Sequence, residues 1–159
     1  MCYVKIRMFC LSPYLSRINV DLQQQIKSMK QGLIFLVDDD EDDRVLFLEA
    51  LQEINNTFQL ISANNGEEAL IYLKSESNPL PDLIFLDMNM PRLNGKQCLA
   101  EIKKCPRLHS VPVVVYSTTK RDEDVKETSK LGAVFFLTKP VLFNEITSSI
   151  SDMIQRFVR

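Results

Sequence analysis

Two stretches decide how this chain folds: LIFLVDDD at residues 33–40 and LIFLDMNMP at residues 83–91. Each is a short, unbroken apolar run that stops at aspartate. Four or five apolar residues without polar alternation suit a strand covered on both faces, and such strands belong to parallel sheets flanked by helices. Working outward, Glu41–Ile54 carries Phe47, Ala50, Leu51 and Ile54 at helical spacing. Residues 58–63 are a second strand. Asn65 stands where a helix N-cap belongs, with Glu68 three residues on, and the helix it starts buries Ala69, Leu70 and Leu73. Pro79 and Pro81 announce the strand Leu83–Leu86. Residues 94–104 form a helix burying Cys98, Leu99 and Ile102. Residues 111–116 and 134–137 are the fourth and fifth strands. The last helix starts near Leu142 and turns Ile146, Ile150, Met153, Ile154 and Phe157 to the core. The fourth helix, over 121–130, has Val125 as its one strong apolar residue and Leu131 at its end, so it reads as loosely held. Five strands alternating with five helices give an α/β class, a doubly wound parallel sheet.

The chain's 159 residues are enough for one domain and tight for two. With 45% hydrophobic and 25% charged residues, it can bury a core without a disulfide or a metal. Cys2, Cys10, Cys98 and Cys105 form no CxxC pair, and His109 is the only histidine, so a Cys/His zinc site is disfavoured and reduced thiols are expected. The net charge of -2 disfavours direct nucleic-acid binding. The charge is uneven: residues 1–30 hold five Lys/Arg and one acid, and the rest hold 14 bases and 20 acids. We expect residues 1–30 to be an extension, without regular structure or with a short helix over 21–30, and residues 31–159 to be the folded domain. Met29 is read as the natural start, with a basic binding arm as the alternative. No apolar run approaches the ~18–20 residues of a membrane span, and residues 8–11 are too few for a signal-peptide core. A cytoplasmic protein without membrane contact is expected.

In open parallel sheets, ligands bind beyond the carboxyl ends of the strands. There the first strand presents Asp38, Asp39 and Asp40, the third Asp87, the fourth Ser117, and the fifth Lys139 before Pro140. Two unit charges ~4 Å apart at an effective dielectric near ~20 interact by about 4 kcal/mol, so crowded carboxylates need a counter-charge. A hard divalent cation such as Mg2+ removes that cost and is typically held by carboxylates together with a phosphate. A lysine at the same edge suits an arriving anion, to which Ser117 can also donate.

The sequence resembles the receiver domain of two-component response regulators. The likeness covers about residues 32–158 and rests on LVDDD at 36–40, LIFLDMNMPRLNG at 83–95, VVVYSTT at 113–119 and FLTKP at 136–140, all in order and each at a strand end. It implies a flavodoxin-like (βα)5 fold with strand order 2-1-3-4-5. It implies that Asp87 accepts a phosphoryl group from a histidine kinase or phosphotransfer protein. Asp38, Asp39, Asp87 and the backbone carbonyl of Asn89 then hold Mg2+, with Lys139 and Ser117 beside the phosphoryl group. The resemblance also implies a cis Lys139–Pro140 bond. Ser117 and Phe136 become the switch pair, moving a surface made of the fourth helix, fifth strand and fifth helix, through which a downstream protein or a second copy is bound. Such a protein assists its own phosphorylation and dephosphorylation and is otherwise no enzyme. With about one residue after the fifth helix, the chain reads as a stand-alone regulator, similar to the small partners of bacterial phytochrome-type kinases. It departs from the family pattern in its basic extension, in Thr118 where alanine or glycine is common, and in Phe136, which lacks a tyrosine's hydroxyl.

Other readings compete. Asp42 and Asp43 read as a solvated helix start, where acids favour the helix dipole, and Asp40 falls outside the metal shell. Asn94-Gly95 reads as a turn and helix start, and His109 as a loop residue without function. A Mg2+-dependent α/β phosphohydrolase would carry an acid two residues after its nucleophile, and that position is Asn89. A phosphorylation-independent interaction module is the third reading. The scattered glycines exclude a P-loop, and no GxSxG elbow is present.

Overall fold

The computed structural model describes residues 32–55 and 57–158. The extension over 1–30, with Cys2, Cys10 and Met29, lies outside the described residues. The elements run β1 (Leu33–Val37), α1 (Glu41–Ile54), β2 (Gln59–Ala63), α2 (Gly66–Lys74), β3 (Leu83–Leu86), α3 (Gly95–Lys104), β4 (Val113–Ser117), α4 (Asp122–Lys130), β5 (Phe135–Thr138) and α5 (Phe143–Phe157). The five strands are parallel in the order β2-β1-β3-β4-β5.

The apolar runs of β1, β3 and β4 are buried on both faces because alternate side chains enter two separate cores. Phe35, Val37, Ile84, Leu86 and Val113 pack against Ala69 and Leu73 of α2 and Cys98, Leu99 and Ile102 of α3. Ile34, Leu36, Phe85, Val114 and Tyr116 pack on the opposite face with α1 and α5, through Phe47, Leu51, Ile146, Ile150 and Met153. In that second core Phe47 meets the rings of Phe85 and Tyr116 edge-on, at centroid distances of 4.8 and 5.9 Å.

Element ends differ from the sequence reading for local reasons. β2 starts at Gln59 because the Phe58 amide is turned back to the Asn55 carbonyl at the end of α1. β4 starts at Val113, since Pro112 has no N–H and the Val111 amide closes a turn onto Leu108. β5 is displaced to Phe135–Thr138 and pairs Ser117 with Thr138, which sets Lys139 directly beyond the strand end. Gly132 makes the turn before it at φ 99°, in the left-handed region open to glycine.

The fourth helix holds by a different chemistry than its sequence suggests. Val125 is only half-buried, and the buried residues are Asp124 and Thr128. Asp124 is paired with Lys96 of α3 at 2.7 Å and Arg121 at 2.8 Å, while the Thr128 hydroxyl donates to the Asp124 carbonyl at 2.7 Å. Lys96 also pairs with Glu127. These partners hold the Asp124 carboxyl below its ordinary range.

Candidate functional site at the carboxyl edge of the sheet

Strand register assembles the site. Val37 of β1 lies beside Leu86 of β3, so Asp38 and Asp87 leave the sheet side by side. The Asp87 amide donates to the Val37 carbonyl at 2.9 Å, the Asp38 amide to the Ala63 carbonyl at 3.1 Å, and the Lys139 amide to the Ser117 carbonyl at 2.8 Å. The backbone after each strand is thus pinned to a neighbour before its side chain projects.

Asp38, Asp39 and Asp87 each bring one carboxylate oxygen within 4.8 Å of the other two. Asp38 and Asp87 are buried and Asp39 is exposed. Burial, the largest influence, makes Asp38 and Asp87 weaker acids, pushing both above the usual carboxylate range. Lys139 pulls both the other way without cancelling it.

Lys139 is the positive group in the pocket, its side chain 9% exposed. Its Nζ is 2.7 Å from Asp38 Oδ2, 2.7 Å from Asp43 Oδ2 and 3.9 Å from Asp87 Oδ1. It also lies 5.4 Å from the Tyr116 ring centroid. Burial opposes the ammonium, but hydrogen bonds to Asp38 and Asp43 outweigh that and raise its basicity. The buried Tyr116 hydroxyl is pushed up to about 12. Among the described residues, the Lys139 ammonium meets Asp38, Asp43 and Asp87, and Asp39 adds a further carboxylate beside Asp38 and Asp87, so negative charge on hard oxygen donors exceeds the positive charge. That donor set fits Mg2+, and Asp38, Asp39 and Asp87 are the side chains able to hold it.

Ser117 is 1% exposed, and its Oγ is a buried polar atom without a hydrogen-bond partner. Such a group carries a cost until a partner arrives. Asn89 is exposed, and its amide donates to Asp87 Oδ2 at 3.3 Å. Phe136 is half-buried on β5, beside a cavity of about 290 Å³ that it shares with Val125 and Thr128 of α4.

Two expectations are corrected. No peptide bond among the described residues is cis, so Lys139–Pro140 is trans. The lysine needs no cis bond to enter the pocket, because β5 already ends at Thr138 and aims it there. Asp43 is not a solvated helix-start acid, since it pairs with Lys139. Asp40 caps α1 by accepting from the Asp42 and Asp43 amides, and the Arg44 guanidinium donates to the Asp38 carbonyl at 2.8 Å. These contacts seat the first turn of α1 on the end of β1. The sequence signal was only the place of Asp43 in the first turn of the helix that follows β1, which keeps it near the same edge.

Asn94 is the cap of α3, in a reciprocal pair with Gln97. Gly95 has no space for a side chain: a Cβ there would lie 2.3 Å from the Asp87 carbonyl oxygen and 2.7 Å from Met88 Cα. His109 is exposed, its Nδ1 3.0 Å from the Lys103 carbonyl.

Comparison with known proteins gives one family. The response regulator receiver domain matches residues 34–151. Response regulator Rcp1 of Synechocystis sp. is 37% identical over 111 residues, covering 67% of this chain and 76% of its own. The phosphorylated cyanobacterial phytochrome response regulator RcpA aligns with a TM-score of 0.74 at 32% identity, over 80% of this chain and 94% of its own. The Mn2+-bound form of Rcp1 aligns with a TM-score of 0.71 at 31% identity, over 80% and 95%.

Proposed function

This chain belongs to the response regulator receiver family, whose members accept a phosphoryl group, and on that premise we propose that Asp87 is the acceptor here. The supporting observation is the convergence of Asp38, Asp39 and Asp87 within 4.8 Å, with the Lys139 ammonium 3.9 Å from Asp87 Oδ1. Receiver domains are phosphoacceptors rather than classical enzymes, and they work with histidine kinases and downstream targets.

Phosphoryl transfer has a loose, charge-rich transition state, so positioning and charge supply most of the catalysis. An Asp87 oxygen forms a bond to phosphorus as the bond from phosphorus to the donor's histidine nitrogen breaks. Lys139 offsets charge on the phosphoryl oxygens, and Ser117 gains an acceptor for its hydroxyl. Asp38, Asp39, Asp87 and the Asn89 carbonyl would hold Mg2+, which would supply further positive charge beside those oxygens. Water then attacks phosphorus, the bond from phosphorus to the Asp87 oxygen breaks, and inorganic phosphate leaves with the carboxylate restored; the same groups assist that step.

The output is a change of surface. Ser117, drawn toward the phosphoryl group, leaves room into which Phe136 moves, and β5 and α4 shift with it. That surface, made of α4, β5 and α5, contacts a downstream protein or a second copy. The exposed Val134 and Phe135 at the sheet edge support it as a contact face.

Incubation with Mg2+ and acetyl phosphate, read by intact mass, is expected to give one phosphoryl adduct. The adduct is absent in Asp87→Asn and suppressed by chelator. Equal adduct in Asp87→Asn overturns the assignment.

A further inference from the structure

Lys139 Nζ has two anchors at equal distance, Asp38 Oδ2 and Asp43 Oδ2, both 2.7 Å away. They are not equivalent. Asp38 belongs to the three carboxylates that converge within 4.8 Å, and so does Asp87, the more distant neighbour of the ammonium. Asp43 stands outside that set. It comes from the first turn of α1, which is fixed by the Asp40 cap and by the Arg44 guanidinium on the Asp38 carbonyl.

A divalent cation among Asp38, Asp39 and Asp87 draws on the charge that Asp38 otherwise lends to the lysine, and it repels the ammonium. The anchor whose charge is not shared with the cation is Asp43. We propose that Asp43 is a positioning residue, which keeps the Lys139 ammonium in the pocket in the cation-bound, unphosphorylated state and yields it to the phosphoryl oxygens once they arrive. The proposal rests on the reading of Asp87 as acceptor and of its neighbours as the Mg2+ site.

The lysine is not left to choose between open solvent and a cationic pocket, so it is in place before the donor binds. Asp43 therefore acts on adduct formation more than on adduct survival, because in the phosphorylated state the phosphoryl oxygens replace it as the partner of Lys139.

The test compares wild type, Asp43→Asn and Asp43→Glu, each with and without Mg2+. The Lys139 side-chain ammonium is observed by 15N–1H NMR, since a held ammonium exchanges slowly enough to be seen. Wild type is expected to show it in both conditions. Asp43→Asn shows it without Mg2+, when Asp38 holds the amine, and loses it with Mg2+; Asp43→Glu restores it. Calorimetry is expected to give Mg2+ affinities for Asp43→Asn and wild type that agree within about threefold, because Asp43 is no ligand. Adduct formation from acetyl phosphate slows about tenfold in Asp43→Asn, as loss of one charge-assisted hydrogen bond implies, while adduct lifetime stays within about threefold.

Persistence of the ammonium signal in Asp43→Asn with Mg2+ overturns the proposal. So does its loss without Mg2+, a collapse of Mg2+ affinity in that variant, or an absence of Mg2+ uptake by wild type. A wild type that binds Mg2+ but takes no phosphoryl group onto Asp87 refutes the acceptor reading instead, and the NMR comparison still decides the role of Asp43.

Discussion

A buried hydroxyl without a partner is a stored cost, and Ser117 carries one at the end of β4. An unsatisfied buried polar group costs ~1–3 kcal/mol, whereas replacing it with an apolar group of similar shape is close to neutral or stabilising. Ser117→Ala is therefore expected to raise the stability of the unmodified protein by about 1 kcal/mol in urea unfolding. The same variant should bind Mg2+ normally but fail to transmit phosphorylation to β5 and α4, read as the loss of phosphorylation-dependent amide shifts at residues 122–138. A clear loss of stability instead would show that the hydroxyl is already satisfied in the resting protein. The residue thus looks poised for an acceptor that arrives from outside, which suits a site switched by a new oxygen.

At the scale of elements, two helix placements govern the site. The N-terminus of α3 sits directly on the Asp87 backbone, which leaves no room for a Cβ at Gly95. The obstruction is main chain on both sides, so it cannot rotate away. Gly95→Ala is expected to cost ~1–3 kcal/mol, as overpacking does, and to displace the β3–α3 loop, so adduct formation falls as well; urea unfolding and intact mass check both. The α4 helix depends on the pairing of Lys96 with Asp124 and Glu127. Asp124→Asn, or high salt in wild type, should speed amide hydrogen exchange over residues 122–130 several-fold while leaving α3 protected. Unchanged exchange would mean that Thr128 and Val125 suffice to hold the helix. The sequence reveals these elements unevenly. An apolar run ending in acid shows where β1 and β3 stop, and so Asp38 and Asp87 are legible as neighbours at one edge. The buried face of α4 is not legible, because helical periodicity detects apolar stripes and this stripe is Asp124 and Thr128. Asp43 is obscured for a related reason: an acid in a first turn has a sufficient local explanation in the helix dipole. Only the seating of α1 on β1 shows its second partner. The end of β5 is also read a residue early from propensity, at Leu137, whereas the strand runs to Thr138.

For the whole molecule, the site is a debit on folding that protons or a cation can relieve. Asp38 and Asp87 bind protons more readily in the native state than in the unfolded chain, because burial penalises their charged forms. Where the native state holds more protons than the unfolded state, stability falls as pH rises. The contribution of these two acids is therefore complete below the ordinary value of 3.8 and is lost as pH climbs through their raised native values. Lys139, whose basicity is raised, acts in the other window: its contribution is present below 10.5 and is lost only as pH rises through its higher native value. Asp124 and Glu101 are held below the usual carboxylate range by their lysine and arginine partners, so they oppose the gain only at the acid end. These two acids are thus expected to stabilise metal-free protein increasingly as pH is lowered through their raised native values toward 3.8. On the proposed assignment Mg2+ would take the same carboxylates in their charged form, so its stabilising effect should shrink as pH falls and protons compete. At ~100 times its dissociation constant, it adds about 2.7 kcal/mol. Urea unfolding of wild type and Asp87→Asn across the pH range above 3.8, with Mg2+ or with chelator, checks this: the variant should show a flatter metal-free slope because one of the two acids is gone. A metal-free pH slope that is the same in Asp87→Asn and wild type, or a Mg2+ increment that grows as pH falls, would mean that the buried carboxylates do not carry this linkage.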